Sequence, residues 1–262
     1  MARVAGRDGH GERAMTAVLE CADLVHTYPG RPRPVLRGVG LSVAAGERVA
    51  LVGRSGSGKS TLVRALLALE AVESGVVRCA GRPVAPGPVR RLRWFRRIVQ
   101  YVPQDPASTL DPRARVRDIV AEPARRLRGD DGDTRVALES VEIPAELHGA
   151  RVRDLSGGQA QRVAIARAWS PGPQLILADE PVSGLDPPLR ARVTGALRTL
   201  SERRGTALLL VTHDLSVAAR LCDRIVVMHD GRIVEDRDAA GLLAGPAHPE
   251  TRALLAAVPR LA

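Results

Sequence analysis

The sequence predicts an α/β fold carrying an N-terminal antiparallel β segment and an inserted helical subdomain, and three observations lead there. Apolar runs of strand length at 47–52, 174–180 and 207–212 are each followed by a stretch of helical character, the alternation that builds an open sheet with helices on its faces. Between the first run and its helix lies Gly53-Arg54-Ser55-Gly56-Ser57-Gly58-Lys59-Ser60-Thr61, which fits the phosphate-loop pattern G-x-x-x-x-G-K-[ST]. From 105 to about 155 strand patterns give way to helical segments at 114–128 and 133–141, parted by the acidic turn 129–133. One domain over 17–258, with a helical subdomain at about 105–170, accounts for all three.

The phosphate loop organises the chain. Its glycines let successive N–H groups turn inward, and the helix that follows adds its positive N-terminal end, so the loop is a cradle for anions. Gly53, Ser55, Gly56, Gly58 and Thr61 are read as nucleotide-binding; Lys59 is expected to reach the β- and γ-phosphates, and Ser60 to ligate Mg²⁺. Lys59 is the only lysine among 39 Lys and Arg residues. A compact ammonium on a flexible stem can enter such a loop, whereas a planar guanidinium fork cannot replace it there.

Composition narrows the class further. With 262 residues, 45% hydrophobic and 26% charged, the chain is long enough for a full globular core. Its longest apolar runs, 49–52 and 207–211, fall well short of the about 18 residues a membrane helix needs, so no span is expected. Residues 1–16 are polar and rich in Gly and Arg, unlike a secretory signal; they read as a disordered leader, with Met1 and Met15 both open as starts. Cys21, Cys79 and Cys222 form no C-x-x-C pair and read as small buried hydrophobes suited to a reducing cytoplasm. The net charge of +10 and the run Arg90-Arg91-Leu92-Arg93-Trp94-Phe95-Arg96-Arg97 raise nucleic acid as a partner. Arginine is spread along the whole chain, however, and no helix-turn-helix, zinc or RNA-binding signature accompanies the run. A solvated arginine face, or one near anionic lipid, is the expectation, with no specific nucleic acid bound.

Taken in order, residues 17–28 read as a strand ending at Tyr28, an aromatic placed either to stack on a nucleobase or to cap the strand. A Pro/Gly/Arg turn at 29–34 leads to a second β segment at 35–43, and the turn 44–46 feeds the central strand. Residues 74–81 give another short strand, and 98–104 a strand that ends with Gln104 facing the nucleotide. Leu155-Ser156-Gly157-Gly158-Gln159 then opens a helix over 160–169, a second glycine-rich helix start able to receive phosphate oxygens, with Ser156 also a good N-cap. The strand 174–180 ends in two carboxylates suited to phosphoryl chemistry, Asp179 to hold Mg²⁺ and Glu180 to polarise water. Ser183-Gly184-Leu185-Asp186 precedes a helix begun by Pro187 and Pro188 and running to about 204, and strand 207–212 ends at His213-Asp214. Polar groups thus gather at strand ends along one edge of the sheet, where open α/β sheets bind ligands. A hairpin at 224–235 and two short helices over 238–257 complete the chain.

Together the phosphate loop, Gln104, Leu-Ser-Gly-Gly-Gln at 155–159, Asp179-Glu180, Ser-Gly-Leu-Asp at 183–186 and His213 resemble the ATP-binding subunits of ABC transporters over nearly all of residues 17–258. Two narrower stretches, 104–113 and 248–259, are similar to the peptide and nickel importer subfamily. The chain departs from that subfamily at Asp111, usually Asn, at Glu250, usually aromatic, and at 151–154 before the signature. The resemblance implies a P-loop NTPase core of the ABC ATPase type that binds ATP and Mg²⁺. It implies that Tyr28 stacks on adenine, that Lys59 and the loop hold phosphates, and that Ser60, Asp179 and Gln104 serve the metal. Glu180 would activate water, Gln104 would sense the γ-phosphate and couple to membrane subunits, and His213 would hold the γ-phosphate. Ser156, Gly158 and Asp186 would join the nucleotide from a second subunit, identical or related, in a nucleotide sandwich. Further implied partners are integral membrane permeases and, indirectly, an extracytoplasmic substrate-binding protein, which places the chain on the cytoplasmic face of the membrane. No cysteine-rich tail follows Pro259, so no iron–sulfur cluster is expected. Cargo, whether peptide, nickel or other, stays open, and the alternative is a soluble ABC-type ATPase acting on nucleic acid or the ribosome, which typically carries long coiled-coil insertions or two fused cassettes that this sequence lacks.

Overall fold

The computed structural model describes residues 17–257; the leader at 1–16 and the end at 258–262 lie outside the described residues. The chain runs β1 (Ala17–His26), β2 (Leu36–Ala44), β3 (Arg48–Val52), α1 (Lys59–Leu66), β4 (Ser74–Cys79), β5 (Arg82–Val84), α2 (Val89–Ile98) and β6 (Val99–Val102). It continues with α3 (Val116–Leu127), α4 (Thr134–Ser140), α5 (Gly157–Trp169), β7 (Leu175–Asp179), α6 (Pro187–Arg204), β8 (Ala207–Thr212) and α7 (Leu215–Leu221). The last elements are β9 (Arg224–His229), β10 (Arg232–Asp238), α8 (Ala239–Ala244) and α9 (Pro249–Ala256).

Two sheets form. The first, ordered β2-β1-β4-β5, is antiparallel; the second, ordered β10-β9-β3-β8-β7-β6, is parallel except for β10 at its edge. The parallel strands read as unbroken apolar runs because both of their faces are covered. In β3, Val49 and Leu51 join the core shared with the antiparallel sheet, α1 and α2, while Ala50 and Val52 join the core shared with α3 to α7. β8 divides in the same way, Leu209 and Val211 to one side and Leu208 and Leu210 to the other. Helices α3, α4 and α5 belong to the second core, which runs without a break from Val116 and Trp169 to the sheet.

The α/β class and the antiparallel N-terminal segment hold, and the differences are local. The arginine run is a helix, α2, with Leu92 and Phe95 buried and Arg90, Arg91, Arg93, Arg96 and Arg97 exposed. That helix takes in Ile98, so the strand read at 98–104 shrinks to Val99–Val102; Pro103 has no N–H to continue a ladder. Helix α5 starts three residues earlier than the apolar pattern suggests. Ser156 and Gln159 form a capping box, the Ser156 N–H donating to Gln159 Oε1 at 2.8 Å and the Gln159 N–H to Ser156 Oγ at 3.3 Å.

The C-terminal helix is fixed by one buried carboxylate. Glu235 on β10 accepts from the N–H groups of Ala247 (2.9 Å) and His248 (3.0 Å) and from the Thr251 hydroxyl (2.6 Å), and so sets the start of α9. Burial pushes its acidity down, but these hydrogen bonds and the nearby Arg237 outweigh it and hold the carboxyl below the usual glutamate range. Glu235→Ala strands three donors and is expected to cost about 2–3 kcal/mol. Because the folded-state value is depressed, the contribution is complete above the unfolded glutamate value of about 4.3 and is lost as pH falls through the folded one. The melting temperatures of the wild type and Glu235→Gln are therefore expected to differ at neutral pH and to converge in acid.

Candidate nucleotide site

The phosphate loop fits only with glycine at two places. A Cβ on Gly53 would lie 2.3 Å from the Met228 carbonyl oxygen and 2.8 Å from Ser57 Oγ. Gly58 has φ +108°, and a Cβ there would meet Met228 Cε at 2.8 Å and the Val35 carbonyl oxygen at 3.1 Å. So Met228 of β9 and the chain entering β2 at Val35 press on the loop at Gly53 and Gly58. Lys59 Nζ folds beneath the loop and donates to the carbonyls of Gly53 (2.6 Å) and Arg54 (2.9 Å). Burial pulls this ammonium below its ordinary value, opposed by the carboxylates of Glu180 and Asp179.

Around the loop opens a cleft of about 1320 Å³, which brings together Tyr28, Ser55, Gly56, Gly58, Lys59, Ser60, Thr61, Gln104, Asp179, Glu180 and His213. Gly53 lies under it through the bond to Lys59. Ser156, Gly158 and Asp186 are outside it. Gly158 packs against Leu189 of α6, and Asp186 caps α6 by accepting the Leu189 N–H at 2.8 Å.

The acidic side of the cleft is built by β7 and β8. Asp179 closes β7, and its carboxyl is pushed up by burial and by the charge of Glu180. Glu180 leaves the strand at φ +46°, a left-handed conformation costly for a residue with a Cβ, held by its N–H bond to the Val211 carbonyl at 2.8 Å. Its Oε1 lies 3.0 Å from His213 Nδ1. Two crowded carboxyls, one of them disfavoured as an anion, suit a cation. Among the described residues no cluster of three His, Cys, Asp or Glu side chains is placed to hold a metal.

Several supporting residues gave no sequence signal. Tyr28 is propped by the edge of the buried His26 ring (4.6 Å between centroids, 87°) and by its hydroxyl contacts to Thr61 Oγ1 and Arg64, both at 3.3 Å. Arg190 of α6 donates to Asp214 (3.2 Å) and to the Leu185 carbonyl (3.4 Å), tying the segment before α6 to the turn that carries His213. The Tyr101 hydroxyl donates to Asp179 at 3.4 Å. Arg190 and Tyr101 reach partners remote in sequence, Asp214 and Asp179.

A phosphate loop, two adjacent carboxyls and a strand-end histidine facing one cleft define a nucleotide-hydrolysing α/β cassette. The family model described as ABC transporter matches residues 36–183. A protein of Brucella ovis provisionally named a peptide import ATP-binding protein is 42% identical over 255 residues, 93% of this chain and 79% of that one. Nickel import ATP-binding protein NikE of Rhodospirillum rubrum is 41% identical (94% and 90% covered), and oligopeptide transport ATP-binding protein OppF of Lactococcus lactis is 37% identical (94% and 82%). Among solved structures, cbiO1 of Clostridium perfringens superposes with a TM-score of 0.78 at 26% identity over 87% of this chain and 91% of its own. The ATP-binding cassette MJ0796, in a dimeric post-hydrolysis state bound to ADP and Pi, gives 0.73 at 28% identity over 84% and 98%. The chain belongs to the ABC transporter family and is one of its ATPases.

Proposed function

We propose that this ATPase powers an importer of peptides or nickel, working at the cytoplasmic face of a membrane on permease subunits supplied with cargo by an extracytoplasmic binding protein. The chain itself, among the described residues, has no helix long and apolar enough to cross a membrane. The relatives named for peptide and nickel import support this reading. The observation that carries it is a second concavity that adjoins the nucleotide cleft at segment 103–106.

This groove, about 660 Å³, runs between α2, β6, α3 and α5 and has an apolar floor that includes Phe95, Pro103 and Pro106. At its rim Leu69 and Val89 are 57% and 73% exposed, and Arg90, Arg93 and Arg96 pair with no carboxylate among the described residues. Apolar side chains left this exposed mark a contact surface. The segment 103–106 separates the two concavities: Pro103 and Pro106 line the groove, while Gln104 lines the cleft. A permease helix seated in the groove therefore acts on Gln104 through a rigid two-proline segment.

In the cleft, Tyr28 stacks on the base, and the loop N–H groups with Lys59 take the phosphates. Ser60, Asp179 and Gln104 would hold Mg²⁺, which when bound would neutralise charge on the transferring phosphoryl group. Glu180 accepts the proton of the attacking water, and His213, set by Glu180 Oε1, donates to the γ-phosphate. The groove is tested by Leu69→Asp combined with Val89→Asp, expected to leave the melting temperature intact because both side chains face solvent. Coexpressed with its permeases, this variant should be lost from the membrane fraction; retention at the wild-type level would remove the groove from docking.

A further inference from the structure

The C-terminal helix α9 forms one wall of the nucleotide cleft, with Leu254 and Ala257 lining it. At its start Glu250 is 9% exposed, a carboxylate brought into the fold beside the phosphate loop. Its Oε1 lies 3.3 Å from Arg54 Nε, and its Oε2 lies 3.5 Å from His229 Nδ1 at the end of β9. Arg54 is the second residue of the phosphate loop, and its carbonyl is one of the two that hold Lys59. The Arg54 side chain is 63% exposed, lines the cleft and reaches Glu250 of α9. Arg54 thus accepts a hydrogen bond from Lys59 on its backbone carbonyl and meets Glu250 with its side chain in an ion pair that is a charge contact, Glu250 Oε1 having no hydrogen-bond partner.

From this we infer that Glu250 is a positioning residue for the phosphate loop, tethering Arg54 to α9 and so fixing the loop shape that ATP phosphates must meet. The inference rests on the reading that this loop, with Lys59, binds those phosphates. The tether is anchored, since Glu235 holds the N–H of His248 and the hydroxyl of Thr251 on either side of Glu250.

A tether and a bystander differ in sign. A carboxylate that merely sat near the phosphates would repel them, so neutralising it would tighten ATP binding. If the carboxylate instead orders the loop, neutralising it weakens binding. The weakening falls on KM more than on kcat, because loop contacts to the phosphates are present in ground and transition states alike.

The experiment measures equilibrium ATP affinity, KM and kcat of the full-length chain as wild type, Glu250→Gln, Arg54→Gln and the double variant, with melting temperatures alongside. Glu250→Gln and Arg54→Gln are each expected to weaken ATP binding by about three- to tenfold, and the double variant by no more than the worse single one, since both remove the same contact. Arg54→Gln alters a solvent-facing side chain and keeps the test open should Glu250→Gln fold poorly. Tighter ATP binding in Glu250→Gln, or losses that multiply in the double variant, would overturn the tether. Lys59→Arg separates this from the underlying reading. If Lys59→Arg binds ATP normally the phosphate site is elsewhere; if it fails while Glu250→Gln and Arg54→Gln behave as wild type, only the tether is wrong.

Discussion

ATP turnover by Glu180→Gln protein is expected to fall by on the order of 10²–10⁴-fold, the usual worth of a positioned general base, while ATP binding persists. The amide keeps the volume of the carboxylate and can still accept from or donate to His213, now 3.0 Å from Oε1, but it cannot take the proton of an attacking water. Its backbone is set independently of the side chain, by the Val211 carbonyl and by the Ser183 N–H donating to the Glu180 carbonyl at 3.0 Å, so the left-handed turn survives the change. A loss confined to turnover is the mark of an interaction made in the transition state. Phosphate release measured beside equilibrium ATP binding decides it. A rate within tenfold of the wild type would take Glu180 out of the role.

Much of this site was legible in the sequence because the residues that form it sit at the ends of strands, and strand ends are what apolar runs reveal. Asp179 and Glu180 end such a run, His213 follows one directly and Lys59 follows one across the phosphate loop, and parallel pairing of β3, β7 and β8 brings those ends to one edge. Gln104 was found for the same reason, although its strand stops two residues before it. The supports were not legible, since they join positions with no shared local pattern: Arg190 to Asp214, Tyr101 to Asp179, and Glu250 to Arg54 across nearly the whole chain. Helix α2 was missed because its arginines suggested a charged surface. Only two of its ten residues are buried, too few to set an apolar period by themselves.

The glycine-rich start of α5 is the one predicted anion site that the cleft does not include, and it sets the second large expectation: ATP drives two chains into a head-to-tail pair. The capping box uses the Gln159 N–H and leaves those of Gly157 and Gly158, the first of the helix, directed outward at its positive end. Gly158 is needed within the chain, because a Cβ there would strike Leu189 at 2.8 Å, but a Cβ on Gly157 would meet nothing within 4 Å. Nothing among the described residues requires glycine at 157; a phosphate brought by another chain would. Each Ser156-Gly157-Gly158 laid on the γ-phosphate held by the other chain's loop buries two ATP molecules between them, and the pair then lasts only as long as the phosphates do. Glu180→Gln protein, alone or with a related ATPase chain, is therefore expected to sediment as a dimer with ATP and as a monomer without it. Ser156→Arg should abolish that dimer by filling the phosphate position, whereas Ser156→Ala, which loses the cap at a cost of about 1 kcal/mol and the hydroxyl but leaves the Gly157 and Gly158 N–H groups to meet the phosphate, should weaken it less. An ATP-independent monomer, or a dimer indifferent to Ser156→Arg, would leave the second anion site without a ligand and the sandwich without support.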